Sequence, residues 1–262
     1  MSISISISNS KIRGLLSILA PVFFWLAIWQ VLSMVVAQEL LVPAPLVVLN
    51  TFAMLVTTEV FWRSTGMSLL RIALGFVLGI AAGSAAAVLT TRFRVADLLV
   101  SPVLRIVRAT PVASFIILAL VWIKTGYLPA FISFLMVVPL TWGNVEKGIY
   151  HTDIKLLEMA RVFRLSRLKT LIHVRIPSVM PYFMAACTTG MGLAWKSGIA
   201  AEVICRPALS VGKRLQDAKI YLETPEVFAW TITVIVLSMM LERLIVAVAK
   251  RFGQRFNASG GN

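Results

Sequence analysis

The sequence predicts an all-α membrane protein with about six transmembrane helices. Hydrophobic residues make up 59% of the 262-residue chain and charged residues 14%, against about 25% charged residues in soluble domains. So few polar side chains cannot cover a water-soluble globule, and lipid must therefore solvate much of the surface. The apolar residues also fall in runs of about 20 residues, the length that a helix needs to cross a bilayer.

The predicted spans follow one another along the chain with short connections. They cover residues 15–37, 64–91, 111–123, 127–145, 177–205 and 228–249. Pro102 and Pro111 interrupt the third apolar stretch, so residues 97–110 are predicted to form a separate leading segment before it. The first run is too long for the apolar region of a signal peptide, which favours a span, although cleavage after Ala37 is an open alternative.

Basic residues predict which ends of the spans face the cytoplasm. With six spans both termini lie on the same side of the membrane. The segments on that side contain fifteen Lys and Arg residues, and the segments on the opposite side contain six. Because cytoplasmic loops accumulate Lys and Arg, both termini and residues 146–176 are predicted to be cytoplasmic. The same rule accounts for the net charge of +14 without a nucleic-acid partner, since no basic and aromatic recognition module is present.

Three glycines predict close helix packing in the second span. Gly75, Gly79 and Gly83 are spaced four residues apart, so they lie on one face of a helix. Small residues in this pattern let a neighbouring backbone approach closely in a membrane. We therefore expect this face to contact another helix.

Charges within the predicted spans are candidates for a translocation path, because ionisable groups inside a bilayer are costly and usually face a cavity or a partner. Arg105 and Arg108 precede Pro111, where a broken helix could expose them to a cavity. Lys196 and Glu202 are six residues apart and so lie on different faces of one helix. We interpret Arg71 and Glu242 differently, as side chains that reach the interface from near the span ends. The candidate path residues are Arg105, Arg108, Lys196 and Glu202.

No catalytic or metal site is predicted. The only histidines, His151 and His173, lie in one loop without Cys, Asp or Glu at metal-ligand spacing. Residues 190–197, "GMGLAWKS", differ from a phosphate-binding loop by Trp195 in place of its second glycine, and they lie inside a span rather than after a strand. The chain is therefore expected to be no enzyme and to hold no cofactor.

The most basic loop is "LLEMARVFRLSRLKTLIHVRIPSVMP", residues 156–181. Thr152 or Asp153 can cap a short helix at its start, and Leu156, Leu157, Ala160 and Phe163 give this helix an apolar stripe. The loop contains four arginines and Lys169 but only one acidic residue, Glu158. These residues fit two interpretations equally, a helix that docks into a partner and a helix that lies on anionic lipid headgroups.

This loop resembles the signature of the membrane subunits of binding-protein-dependent ABC importers, in particular the taurine, nitrate and alkanesulfonate group. That signature is Glu-Ala-Ala, three residues, Gly, nine residues, Ile-x-Leu-Pro. The chain has Glu158-Met159-Ala160, three residues, Arg164, nine residues, then Val174-Arg175-Ile176-Pro177. Met159 and Arg164 depart from this signature. The signature has glycine in place of Arg164, and glycine there normally permits a left-handed turn at the end of a helix. "LVPAPLVVLNTF", "LRIVRATPVASF" and "LAWKSGIAAEVI" extend the resemblance along most of the chain.

The resemblance implies a type I ABC importer permease fold, in a multi-pass subunit of the bacterial inner membrane. It implies a core domain at 64–250 with a cytoplasmic coupling loop at 146–176, after a first helix and outer segment at 15–63 and between cytoplasmic tails at 1–14 and 251–262. It assigns contact with the cytoplasmic ATPase to a helix at residues 152–166 and to Glu158, Met159, Ala160, Phe163, Arg164 and Pro177.

The implied partners are an ABC ATPase dimer that carries the ATP, an extracytoplasmic solute-binding protein and a second permease copy, usually identical. The implied substrate is a small anion such as a sulfonate, taurine or nitrate. Another small organic solute, such as a vitamin or pyrimidine precursor, is the alternative. A membrane scaffold or a channel is a more distant one, because neither would need an ATPase-docking motif.

Overall fold

A computed structural model describes the backbone of residues 3–258 and the side chains of residues 20–248 and 251. Within these residues all regular structure is helical and no strand occurs, which confirms the predicted all-α class. Side chains of the predicted tail at 1–14, and those of the tail at 251–262 other than residue 251, lie outside the described residues.

The described part of the chain contains eleven α-helices and one π-helix. In chain order they are α1 (Ile3–Val36), α2 (Pro45–Val56), α3 (Glu59–Arg92), α4 (Arg94–Ala109), α5 (Val112–Ala119), α6 (Leu128–Tyr150), α7 (Ile154–Val162), α8 (Arg167–Thr170), a π-helix (Leu171–Arg175), α9 (Ile176–Cys205), α10 (Val211–Ile220) and α11 (Thr224–Ala258).

Three helices in the described part of the chain are long and apolar enough to cross a bilayer, namely α3, α6 and residues 224–248 of α11. The number rises to four if α4 and α5 form one broken span. The described apolar part of α1, Ala20–Val36, is shorter, and Lys196 and Glu202 interrupt the apolar run of α9. The count of six spans therefore stays a prediction.

The third apolar stretch bends by 106° between α4 and α5. Thr110 has an extended backbone, with φ −83° and ψ 136°, as expected of a residue before proline. The apolar helix then ends at Ala119, so the prediction that it reaches residue 123 is wrong. Residues 120–127 form turns instead, and Gly126 lies among them.

The chain divides into two compact units, one of residues 1–58 and 215–232 and the other of residues 59–214 and 233–262. In the first unit, side chains hold the segment between α1 and α2. Trp29 Nε1 donates to the carbonyl of Pro43 at 3.1 Å, and Ser33 Oγ donates to that of Val42 at 3.0 Å. Thr224 Oγ1 donates to the carbonyl of Leu40 at 2.6 Å. These bonds satisfy carbonyls that no helix ladder pairs.

In the second unit α3 packs against α6 through its glycines. A Cβ added at Gly79 would lie 2.7 Å from Val137 Cβ, and one added at Gly83 would lie 2.6 Å from the Val138 carbonyl oxygen. Gly75 meets the backbone of α6 in the same way. All three glycines therefore lie where the two helix backbones approach too closely for a side chain.

A fourth glycine brings α9 into the same contact. A Cβ at Gly198 would lie 2.5 Å from Ile72 Cγ1 and 2.6 Å from Ser133 Oγ. Ser133 Oγ also donates to the carbonyl of Ala194 at 3.0 Å. Helices α3, α6 and α9 thus form a closely packed group that positions the loop between α6 and α9.

Replacing Gly79 with leucine is expected to destabilise the chain by at least about 1–3 kcal/mol, the typical effect of overpacking, because the added atoms collide with Val137. Gly66→Leu is the matched control, since Gly66 lies on the same helix and nothing lies within 4 Å of its added Cβ. Thermal unfolding of the two purified variants gives the comparison. If both variants melt at the same temperature, the contact between α3 and α6 is not as close as described.

Candidate coupling loop and translocation path

Helix α7 is the short helix predicted in the basic loop, and Asp153 caps it. Asp153 Oδ1 accepts the backbone N–H of Lys155 at 2.8 Å, which satisfies one free donor of the first turn. Thr152, the other predicted cap, instead donates from Oγ1 to the Gly148 carbonyl at 3.4 Å.

Helix α7 ends in a left-handed turn at Arg164, the position where the resemblance has glycine. Arg164 has φ 49°, and the next N–H, from Leu165, donates to the Ala160 carbonyl at 2.9 Å. This 6→1 hydrogen bond is the one that ends helices in a Schellman motif. The bend is therefore kept without glycine, at a cost of about 1–2 kcal/mol for an L-residue in this conformation.

The predicted coupling residues divide into an exposed and a buried group. Glu158 is exposed, and Met159 and Phe163 are 50% and 72% exposed. Ala160 is 2% exposed, so its side chain packs within the loop. Among the described residues Glu158 forms no ion pair with Arg161 or Arg164.

Pro177 lies at the start of α9, directly after the π-helix. Proline has no N–H and its ring crowds the carbonyl four residues earlier, so a wider turn before it is a natural consequence. Helix α8, the π-helix and α9 follow one another without a break. The loop thus runs straight into α9, the helix that carries Lys196 and Glu202.

The structure separates the four candidate path residues. Arg105 and Arg108 are exposed on α4, and Arg108 Nη1 lies near α6, 3.6 Å from the Cβ that Gly143 lacks. Lys196 is exposed on α9. Glu202 is completely buried, so it does not line an open surface of this chain.

Glu202 instead joins α3, α9 and the start of α10. Its Oε2 accepts from Ser68 Oγ at 2.7 Å and from the N–H of Gly212 at 3.1 Å. Ser68 Oγ in turn accepts the N–H of Val211 at 3.0 Å. The carboxylate therefore lies at the N-terminus of α10, where the helix dipole favours negative charge.

Arg71 completes this arrangement, which we call the Glu202 clamp (Ser68, Arg71, Glu202, Gly212). Its guanidinium donates to the carbonyls of Ala208 and Leu209 at 3.0 and 3.1 Å, and Nη1 lies 4.0 Å from Glu202 Oε1. Arg71 was interpreted as a side chain that reaches the interface, and these contacts add a structural role for it, since it binds the loop that follows α9. Its partners lie more than 130 residues away in sequence, and only the charge inside a span could have indicated its role.

The chain belongs to the family described as the binding-protein-dependent transport system inner membrane component, which matches residues 75–254. The match covers α9, the basic loop and the glycine face of α3. It confirms the resemblance on which the sequence interpretation depended.

Three relatives match along most of their length. The chain is 28% identical to a probable ABC transporter permease protein of Brucella melitensis, over 94% of this chain and 99% of that one. It is 26% identical to the putative aliphatic sulfonates transport permease protein SsuC of Bacillus subtilis, over 84% and 80%. It is 29% identical to the nitrate import permease protein NrtB of Synechococcus elongatus, over 76% and 75%.

The fold is also similar to a solved structure, titled as an amino acid ABC transporter with histidines. The TM-score is 0.63 at 17% identity, over 76% of this chain and 97% of that one. This likeness confirms the ABC importer permease fold. The family is one of transport permeases, so the chain is a membrane-embedded transport subunit.

Proposed function

We propose that the chain is the permease subunit of an importer for a small anion and that loop 152–166 couples it to a separate cytoplasmic ATPase. The observation that carries this proposal is the exposed surface formed by α7 and the residue directly after it. Met159, Val162 and Phe163 are 50–79% exposed, next to Glu158, whose carboxylate has no ion pair within the described part of the chain. An exposed apolar patch marks a contact with a protein or a membrane, and a carboxylate beside it favours a protein over anionic lipid headgroups.

ATP would be bound by the partner, with a dimer of ATPases below two permease copies. No phosphate-binding loop occurs in the sequence, since residues 190–197 lie within α9. The motion of the ATPases would reach the spans through α7 and the continuous helix that follows it. An extracytoplasmic binding protein would deliver the solute from the other side.

The face of α9 that carries Lys196 supports a path shared with a second, identical copy. Ala185 and Thr189 on this face are exposed, and nothing lies within 4 Å of a Cβ added at Gly192. Small and polar residues on a spanning helix favour a helix interface or a water-filled cavity over lipid. The single cation suits an anionic solute, in agreement with the nitrate and sulfonates named for two relatives.

The proposed orientation can be tested by cysteine labelling, after Cys187 and Cys205 are replaced with serine. Lys169→Cys in the loop should react with an impermeant thiol reagent only after the cells are opened. Tyr221→Cys, at a position that is 73% exposed, should react in intact cells. We expect these results because Lys and Arg are more frequent on the side of the membrane that holds the loop, which places that side in the cytoplasm. Labelling of Lys169→Cys from outside would overturn the orientation and, with it, contact between α7 and a cytoplasmic ATPase.

A further inference from the structure

A cavity of about 770 Å³ lies in the second unit between α7 and the spanning helices. Most of its lining is aliphatic or aromatic, with Val145, Ile149, Val179, Met180 and Phe183 contributed by α6 and α9. Helix α7 contributes Leu157. The volume is within the range of about 300–1,000 Å³ that is typical of ligand sites.

Among the residues whose side chains the structure describes, two arginines are the only charged ones that line this cavity. Arg92 is the last residue of α3, and Arg175 is the last residue of the π-helix. Both are exposed, and among the described residues neither forms an ion pair with a carboxylate. The cavity thus combines an apolar interior with two arginines that have no carboxylate partner among the described residues, although Arg92 lies over the Phe93 ring at 6.0 Å.

We propose that this cavity binds an acidic phospholipid of the cytoplasmic leaflet, with an acyl chain inside and the phosphate against Arg92 and Arg175. The proposal uses the orientation given under the proposed function, which places both arginines at the cytoplasmic surface. Basic pockets between spanning helices on this side suit anionic headgroups. A water-soluble anion would contact the two arginines but would leave the apolar lining without a ligand. A lipid contacts both, because its phosphate binds the arginines and its acyl chain fills the apolar interior.

A lipid in this position would brace the coupling helix. Leu157 of α7 lines the cavity whereas Phe163, directly after α7, is exposed, and Thr152 at the start of the loop also lines the cavity. An acyl chain would therefore fill the space behind α7 and hold it against α6 and α9. The expected consequence is that coupling depends on acidic lipid.

The test is native mass spectrometry of the full-length purified chain, titrated with phosphatidylglycerol or phosphatidylcholine. We expect selective retention of phosphatidylglycerol by the wild type. Arg92→Gln and Arg175→Gln should each lower the affinity about fivefold, and together about thirtyfold. Val88→Trp should also abolish retention although both arginines remain, because Val88 lines the cavity and its 55% exposure leaves room for folding.

The matched control is Arg94→Gln with Arg167→Gln, which removes the same charge from exposed positions outside the cavity. An equal loss in this control, or unchanged retention in the Arg92 and Arg175 variant, would overturn the proposal. Release of the lipid by inorganic phosphate alone would overturn it as well, by assigning the site to a free anion. Binding in detergent requires neither transport nor orientation, so its failure would leave the proposed function standing.

Discussion

Replacing Glu158 or Phe163 with alanine is expected to abolish ATP-driven uptake and to leave the chain folded in the membrane. Glu158 is exposed on α7 and Phe163 is exposed directly after it, so neither side chain supports the packing of the chain itself. In a docked interface Phe163 would be an aromatic anchor, a kind of residue whose truncation typically costs at least about 2 kcal/mol.

The two interpretations of the loop differ in the size of this effect. If Glu158 only lies near surface arginines, its removal changes the free energy of ATPase binding by no more than about 0–1 kcal/mol. If Glu158 accepts hydrogen bonds from a docked ATPase, truncation leaves buried donors unpaired at a cost of about 2–5 kcal/mol. The second case lowers ATPase binding by at least about thirtyfold.

Two measurements on the same preparations separate these cases. The first is the ATPase retained on the tagged permease, and the second is ATP-dependent uptake of nitrate or an aliphatic sulfonate into vesicles that contain the complex. Glu39→Ala, at an exposed glutamate outside the loop, is the control and should match the wild type. Wild-type retention and uptake in both loop variants would mean that the loop lies only on lipid.

Replacing Glu202 with alanine is expected to destabilise the chain by about 3–5 kcal/mol, the usual effect of removing one partner of a buried charged group. The Ser68 hydroxyl, the Gly212 N–H and the Arg71 guanidinium would all lose their acceptor or counter-charge. The start of α10 would then lose its bond to α9 through Gly212 and keep only the bond from Val211 to Ser68 of α3. Lower yield of folded protein and a lower melting temperature are the expected observations.

Two further variants identify the cause of this destabilisation. Glu202→Gln keeps an oxygen acceptor and should have a smaller effect than Glu202→Ala. Lys196→Ala changes an exposed charge on the same helix and should leave the melting temperature unchanged. Equal melting temperatures for Glu202→Ala and Lys196→Ala would show that the Glu202 clamp does not stabilise the fold.

Local patterns predicted much of the fold, because each depends on residues close together in sequence. The four-residue spacing of Gly75, Gly79 and Gly83 identified the face of α3 that meets α6, and Asp153 was one of two predicted caps. Phe163 was placed on one stripe with Leu157 and Ala160. In the structure α7 ends at Val162, so Phe163 departs from the helical period and is exposed.

Contacts between distant segments could not be predicted in this way. The partners of Arg71 are carbonyls of a turn whose conformation depends on left-handed residues, Arg206 with φ 51° and Leu209 with φ 50°. Nothing in the sequence near Arg71 specifies that turn. Glu202 was assigned to a path because it is a charge in a span, although its neighbours in space bury it completely. The cavity beside α7 likewise forms only when α3, α6 and α9 come together.

The most direct test of the proposed coupling is photo-cross-linking from residue 162, which is 79% exposed on α7. A benzophenone amino acid at this position, in membranes that contain the complete transporter, should form a covalent product of the permease and the ATPase on illumination. The same amino acid at position 221 is the control and should form no such product. Products with lipid alone from position 162, under conditions in which the complex transports, would contradict the account.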